Sequence, residues 1–296
     1  MSTLIRNRFF AAACALALAA LITPRAQAED FTPTHFSVRV EGQGPDVILI
    51  PGLGSSRDTY AAEAAKLTGT HRLHLVQIAG FAGEPAGANA QGEIIAPFVE
   101  ELDQYIKANH LDHPAVIGHS MGGLAGLMLT RRHPDDVGRL MAVDALPFFS
   151  VLFDPNATAA SVAPQGAAMR DQLIAMPDAS FAAMQAGGVA RLVLTPANRP
   201  KVAAWTVASD RSVFARAMYE DMTTDVRGDL AAIQTPITVL YAYDETMGPQ
   251  AAVDGLYHNA YASAPHVTLT RIDHSYHFIP LDAPDAFDAA VQTFLH

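Results

Sequence analysis

From residue 36 onward, short apolar runs alternate with stretches of helical periodicity. Phe36 to Val40 and Val47 to Ile50 read as strands divided by the turn Gly42-Gln43-Gly44. Tyr60 to Leu67 reads as a helix, and Arg72 to Ile78 as a strand that runs into the glycine-rich loop from Gly80 to Gly87. Glu93 to Asn109 carries Ile94, Phe98, Leu102 and Ile106 on one face, the spacing of an amphipathic helix. Pro97 is tolerated only in its first turn, so the helix is expected to start a few residues late. Pro114 to Ile117 is a short strand, Leu124 to Arg132 a helix and Leu140 to Ala145 another strand. The rhythm then changes between residues 147 and 234, where strand-like runs are scarce and alanine and methionine rise, predicting several short helices. Alternation resumes with strand Ile237 to Tyr241, helix Gln250 to Ala262, strand His266 to Ile272 and helix Ala286 to Leu295. The pattern predicts an α/β fold: a mostly parallel sheet with helices on both faces and a helical insertion before the last two strands.

The first residues obey a different rule. Arg6 and Arg8 precede an apolar run from Phe9 to Ile22, and Ala26-Gln27-Ala28 offers an A-x-A cleavage site. This is the pattern of a secretory signal peptide, so residues 1–28 are expected to be removed and the mature protein to be periplasmic or secreted, starting at Glu29. The run of about 14 apolar residues falls short of the roughly 20 that a spanning helix needs, and no later stretch reaches that length. Cys14, the sole cysteine, lies in this leader. A mature chain would therefore have no thiol nucleophile, disulfide or cysteine-ligated metal.

Charge narrows the partners. The chain has 19 Lys and Arg against 30 Asp and Glu, a net charge of −11, and loss of the three leader arginines makes it more acidic still. No basic cluster beyond Arg131-Arg132 survives, which argues against nucleic acid or an anionic membrane as partner. No feature of the sequence sets an oligomeric state.

The densest chemical signal is VIGHSMGG, residues 116–123. Ser120 sits between a predicted strand and a predicted helix, with Gly118 and Gly122 two residues to either side. A serine in so sharp a turn projects its hydroxyl while its backbone approaches its neighbours closely, and glycines at those positions remove the Cβ atoms that would collide. The helix beginning there aims unpaired N–H groups at any anion forming beside the serine.

The stretch resembles the G-x-S-x-G nucleophile elbow of the α/β-hydrolase superfamily. The resemblance extends over most of the mature chain, because that family orders its triad as serine, acid, histidine. Here Asp244 comes just after the strand in ITVLYAYDETMGP, and His277 lies in RIDHSYHFIPLDAPDAF between the last strand and helix. The resemblance implies Ser120 as nucleophile, His277 as base and Asp244 as the orienting acid. Asp144, at the end of an earlier strand, is the alternative acid, since some members take it from there. His274 is the alternative base, disfavoured because HFIPLDAPDAF resembles the family's usual segment starting at its catalytic histidine. His119 is expected to pack locally, and Asp273, His274 and His277 make a weak metal set.

The family's oxyanion hole implies the backbone N–H groups of Met121 and of Leu53, in the loop PGLGSS. Pro51 stands where the family usually has histidine. The resemblance further implies a hydrolase core of residues 29–146 and 235–296, a helical cap of residues 147–234, and no cofactor or metal. Cleavage of carboxylic esters is the activity expected. Lactonase or aminopeptidase chemistry, or a non-catalytic binding protein on the same fold, are alternatives. Phe148, Phe149, Leu152 and Phe153, with Trp205 and five methionines of residues 147–234, suit an adaptable apolar pocket or the cap's own small core. Few basic residues lie near the expected catalytic loops, so a small neutral ester with a short to medium apolar acyl chain is the substrate expected.

Overall fold

The computed structural model describes residues 31–296; the leader read in residues 1–28 lies outside the described residues. In chain order the elements are β1 (Phe36–Gly42), β2 (Asp46–Ile50), α1 (Ala61–Leu67), β3 (Arg72–Ile78), α2 (Ile95–Ala108), β4 (Ala115–His119), α3 (Met121–Arg132) and β5 (Arg139–Val143). Then come α4 (Ala159–Ala175), α5 (Asp178–Gly188), α6 (Arg199–Ala208) and α7 (Arg211–Thr223). The chain ends with β6 (Ile237–Tyr243), α8 (Gln250–Ala260), β7 (Val267–Asp273), α9 (Ile279–Asp282) and α10 (Pro284–Leu295).

The described residues form a seven-stranded sheet in the order β1-β3-β2-β4-β5-β6-β7. Only the β1–β3 pair is antiparallel, with Phe36 opposite Ile78; the other pairs run parallel. The chain builds outward from β2 to β3 on one side and then crosses to β4 on the other. The loops after β2 and β4 therefore diverge at a topological switch point, where open parallel sheets collect their ligands.

Alternation within the strands divides the core. Ile48 and Ile50 face the cluster that includes Phe98, Leu124 and Tyr257 on α2, α3 and α8. Val47 and Leu49 face the opposite cluster, with Leu67 of α1 and Phe287 and Val291 of α10. Val47 to Ile50 are all fully buried, which explains why β2 reads as a continuous apolar run rather than an alternating one. β1, at the sheet's edge, has partly exposed positions and mixes polar and apolar residues.

The start of α2 has a long-range cause. It begins at Ile95, which puts Pro97 in the first turn, where its missing N–H removes no helical bond. The Glu220 carboxylate of α7 accepts from Ile94 N and Ile95 N, so the free donors of this terminus are satisfied by a distant helix. Between β5 and β6, one helix differs from expectation: α4 runs for 17 residues with Pro164 inside it, rather than breaking into short pieces. Thr158 and Ser161 form a reciprocal capping box at its start. Its flank lies along α7, with Tyr219 against Gly166, so packing offsets the bond lost at Pro164.

Candidate active site

Ser120 comes directly after β4 and has φ 55° and ψ −125°, a strained conformation for a residue with a side chain. The strain is held from both sides. A Cβ on Gly118 would lie 2.2 Å from the Gly122 carbonyl oxygen, and one on Gly122 would lie 2.4 Å from that of Ile50. Neither position admits another residue without moving backbone. Ser120 N donates to the Val143 carbonyl of β5 at 2.9 Å, and the Ser120 carbonyl accepts from Gly123 and Leu124 at the start of α3.

The loop after β2 closes on the same point. A Cβ on Gly52 would stand 2.9 Å from Ser120 Cβ and 3.0 Å from His119 Nδ1. Ser55 N bonds the Gly52 carbonyl at 3.1 Å, and Gly54, at φ 63°, supplies the left-handed residue of that turn. Leu53 and Met121 are thus the residues next in the chain after the two partners of the Gly52–Ser120 contact. The buried amide of Gln77 anchors this loop from β3, donating to the Ser55 carbonyl and accepting from Arg57 N. Nothing in the sequence sets Gln77 apart from other polar residues of a strand.

His277 lies in the loop after β7, and its partner is not the expected one. His277 Nδ1 stands 2.7 Å from Asp144 Oδ2. Asp144 also accepts from the Ala242 amide at 2.9 Å and the Tyr257 hydroxyl at 2.8 Å, both on Oδ1. Asp244 makes a local turn instead, accepting from Thr246 N and Thr246 Oγ1. The place expected for Asp244 is therefore taken by Asp144. The reason is sheet order: Asp144 ends β5, next to β4 and Ser120, whereas Asp244 ends β6, one strand further away. Asp144 also has a positive φ of 45°.

Electrostatics arise from these contacts. Burial pushes the Asp144 carboxyl up, but hydrogen bonds from His277, Ala242 and Tyr257 with the imidazole's charge outweigh it and hold the group below its ordinary value. A proton on His277 Nδ1 satisfies the carboxylate and leaves Nε2 as the free acceptor. Tyr257 of α8, stacked on Tyr241 with ring centroids 4.6 Å apart, carries no signal in the sequence.

His119 joins Ser120 and His277. It is fully buried, its Nε2 donates to the His277 carbonyl at 2.9 Å, and its ring centroid is 4.6 Å from that of His277. Burial and the neighbouring imidazole push its pKa down to about 3, so it stays neutral, with Nδ1 unpartnered among the described residues. Among the described residues no hydrogen bond joins Ser120 to His277 directly; the covalent neighbour His119 makes the connection. His274 is exposed, and Asp273 pairs with Arg271 at 2.6 Å, so the suspected metal set at this loop is not assembled. Asp103, His133 and Asp136 do come together, but Lys107 Nζ already lies 2.8 Å from Asp103 and 3.4 Å from Asp136. That group sits beyond the far end of α3, about 18 Å of helix from Ser120.

Helices α4 to α7 reach the site at two places. Met176 and Met218 pack with Leu53 against Leu173, Phe181 and Phe214. Trp205 packs near Phe278, the neighbour of His277. The other apolar residues divide: Phe148 is fully buried, whereas Leu152 and Phe153 are exposed.

Comparison with known proteins agrees with the fold. The sequence pattern described as alpha/beta hydrolase fold matches residues 45–284. The chain belongs to the alpha/beta hydrolase fold family. It is 29% identical over 257 residues to the pimeloyl-[acyl-carrier protein] methyl ester esterase of Aromatoleum aromaticum, covering 83% of this chain and 96% of that one. A shorter match, 30% over 116 residues, is to the protein of that name from Vibrio atlanticus and covers 39% of this chain; it spans 42% of that relative, less than half its length. Among solved structures, the enol-lactonase from Burkholderia xenovorans superposes with a TM-score of 0.71 at 17% identity, covering 88% of this chain and 96% of that one.

Proposed function

We propose that this alpha/beta hydrolase cleaves carboxylic esters by way of an acyl-enzyme on Ser120. The observation that carries the reading is the strained serine at the switch point of the sheet, tied through His119 to an imidazole that Asp144 orients. A free hydroxyl is a poor nucleophile and needs a base that is itself held in place. In this reading Ser120 Oγ attacks the ester carbonyl carbon and its proton passes to His277 Nε2. The backbone N–H groups of Met121 and Leu53 hold the oxyanion. The bond to the alcohol then breaks, the alcohol leaves with the proton from Nε2, and water repeats the sequence to release the acid and restore Ser120. Asp144 stays ionised, holds Nδ1–H, and balances the imidazolium.

Relatives named as methyl ester esterases support an ester as substrate. The net charge of −11 disfavours an anionic substrate and favours a neutral one. Residues 147–234 are read as a cap whose Met176 and Met218, beside Leu53, leave an adaptable apolar wall for a short to medium acyl chain. Residues 1–28 are read as a leader that carries the protein to the periplasm or beyond. Among the described residues no helix is long and apolar enough to cross a membrane.

A fluorophosphonate probe and then a panel of p-nitrophenyl esters and lactones test the proposal. Labelling and ester turnover that both vanish in Ser120→Ala support it. A protein that neither labels nor turns over any member of the panel is not this enzyme.

A further inference from the structure

The loop that carries His277 is gripped by a carboxylate with no part in acyl transfer through Ser120. Residues 192–195, between α5 and α6, belong to no helix, so their peptide groups need partners outside regular structure. Asp282, the last residue of α9, supplies two of them. Its Oδ2 accepts from Leu194 N at 2.8 Å, and its Oδ1 accepts from Thr195 N at 2.9 Å. The same Oδ2 accepts from the amide of Tyr276, the residue before His277, at 3.1 Å. One side chain thus bonds the base's own loop to a segment 88 residues away in the chain.

Other contacts make the two segments a single unit. Phe278 N donates to the Leu192 carbonyl at 3.1 Å, and Asn198 Nδ2 donates to the Leu281 carbonyl at 2.8 Å. Arg199 holds the far side of residues 192–195, donating from Nε to the Val193 carbonyl and from Nη2 to that of Leu194. Phe278 packs with Val189, Val193 and Val202, all four buried. The choice of an acid at position 282 follows from its partners. Two carboxylate oxygens take three amide donors, whereas a carboxamide would turn its own NH2 toward one of them.

We propose that Asp282 is a positioning residue for the base: by tying the peptide before His277 to residues 194 and 195, it sets the place from which Nε2 serves Ser120. The proposal rests on the esterase reading. His277 is otherwise held at two points, its Nδ1 by Asp144 at the end of β5 and its carbonyl by His119 at the end of β4. Two points leave the loop free to turn about the line that joins them. Asp282 adds a third, on the amide side of His277 and from the helical insertion. A displacement of about 1 Å at a reacting group can cost on the order of 10²-fold in rate. Both Asp282 oxygens are occupied by backbone amides, so the residue acts through His277 and not on the substrate. Its loss should slow the chemical step and leave KM nearly unchanged.

Steady-state kinetics on p-nitrophenyl butyrate test it in Asp282→Ala, Asp282→Asn and Thr195→Pro, with kcat expressed per serine titrated by a fluorophosphonate. Asp282→Ala removes all three bonds, and Asp282→Asn keeps an acceptor for part of them. Thr195→Pro deletes one donor from the insertion side, at a φ of −71° that proline adopts. The expected result is a fall in kcat per titrated serine of about 10²-fold in Asp282→Ala and a smaller fall in the other two, with KM within about threefold of wild type. A merely structural residue behaves differently: its variants lower the urea midpoint and the number of titratable serines, and each remaining serine turns over at the wild-type rate. That outcome overturns the Asp282 proposal and leaves the esterase reading intact. A raised KM with unchanged kcat also overturns it, since the carboxylate would then serve binding. If Asp282→Ala does not fold, Asp282→Asn and Thr195→Pro decide by the same comparison. A wild type that neither labels nor turns over the ester overturns both readings.

Discussion

Asp144 Oδ2 and His277 Nδ1 stand 2.7 Å apart, although 133 residues separate them in the chain. Two further donors, the Ala242 amide and the Tyr257 hydroxyl, converge on the other oxygen of the same carboxylate. A nearly buried anion with three partners is held in one orientation, and it holds the imidazole in turn. Asp144→Asn should therefore lower kcat by about 10⁴-fold by presenting the wrong tautomer of His277. Asp244→Asn should cost no more than about threefold, because that carboxylate serves only its own turn. Steady-state kinetics of the two variants side by side decide the assignment.

Ser120→Ala and His277→Ala should each reduce kcat by on the order of 10⁴- to 10⁶-fold, and the double variant by no more than the worse single one, since groups that act as a unit are not additive. Circular dichroism should show an unchanged fold. A loss of only a few-fold in Ser120→Ala would remove it as nucleophile.

Tyr257→Phe deletes one donor to Asp144 and leaves the ring stacked on Tyr241. The remaining bonds keep the carboxylate ionised at neutral pH, so the enzyme should stay active with a several-fold lower kcat. Chemical denaturation should show a loss of about 1.5–3 kcal/mol, the range for a hydrogen bond to a charged group.

Gly52→Ala should be more damaging than its size suggests. The new methyl would stand 2.9 Å from Ser120 Cβ, so either the serine or the loop that carries Leu53 must shift. A misplacement of this order near the reacting atoms is expected to cost about 10²-fold in kcat, with fluorophosphonate labelling slowed in parallel.

Stability should fall on both sides of a maximum. His119 has a folded pKa near 3, below its ordinary 6.5, so the folded state resists its protonation; the stability this confers is present above about pH 6.5 and is lost as pH falls toward 3. Asp144, held low, loses its contribution at the acid end as well. Glu63 behaves oppositely: burial, then the neighbouring Asp288, raise it from 4.5 to about 7, so its favourable protonated state is lost as pH rises through that window. Urea midpoints measured from about pH 4 to 9 should show Glu63→Gln flattening the neutral side and His119→Gln flattening the acid side. Parallel curves for wild type and variants would contradict these assignments.

Local pattern was sufficient for the strands and helices of the sheet-forming parts, because their burial is written in periodicities of two and about 3.6 residues. It was enough to nominate Ser120 too, since Gly118, Gly122 and the strand–helix junction lie within a single short stretch, and to nominate His277, which opens a segment carrying a family signature. Leu53 and Met121 could be nominated for the same reason, as each adjoins a glycine-rich turn. The carboxylate partner of His277 was not legible. Asp144 and Asp244 both end apolar strands that run into loops, and only the lateral order of β4, β5 and β6 decides which of them stands beside the serine. That order is set by packing between residues far apart in the chain. Tyr257, Gln77 and Glu220 fall in the same class: each acts on an element distant in sequence, and none occupies a motif. A chain records which positions are to be buried, whereas the partners of a buried polar group exist only once the strands and helices have been laid side by side.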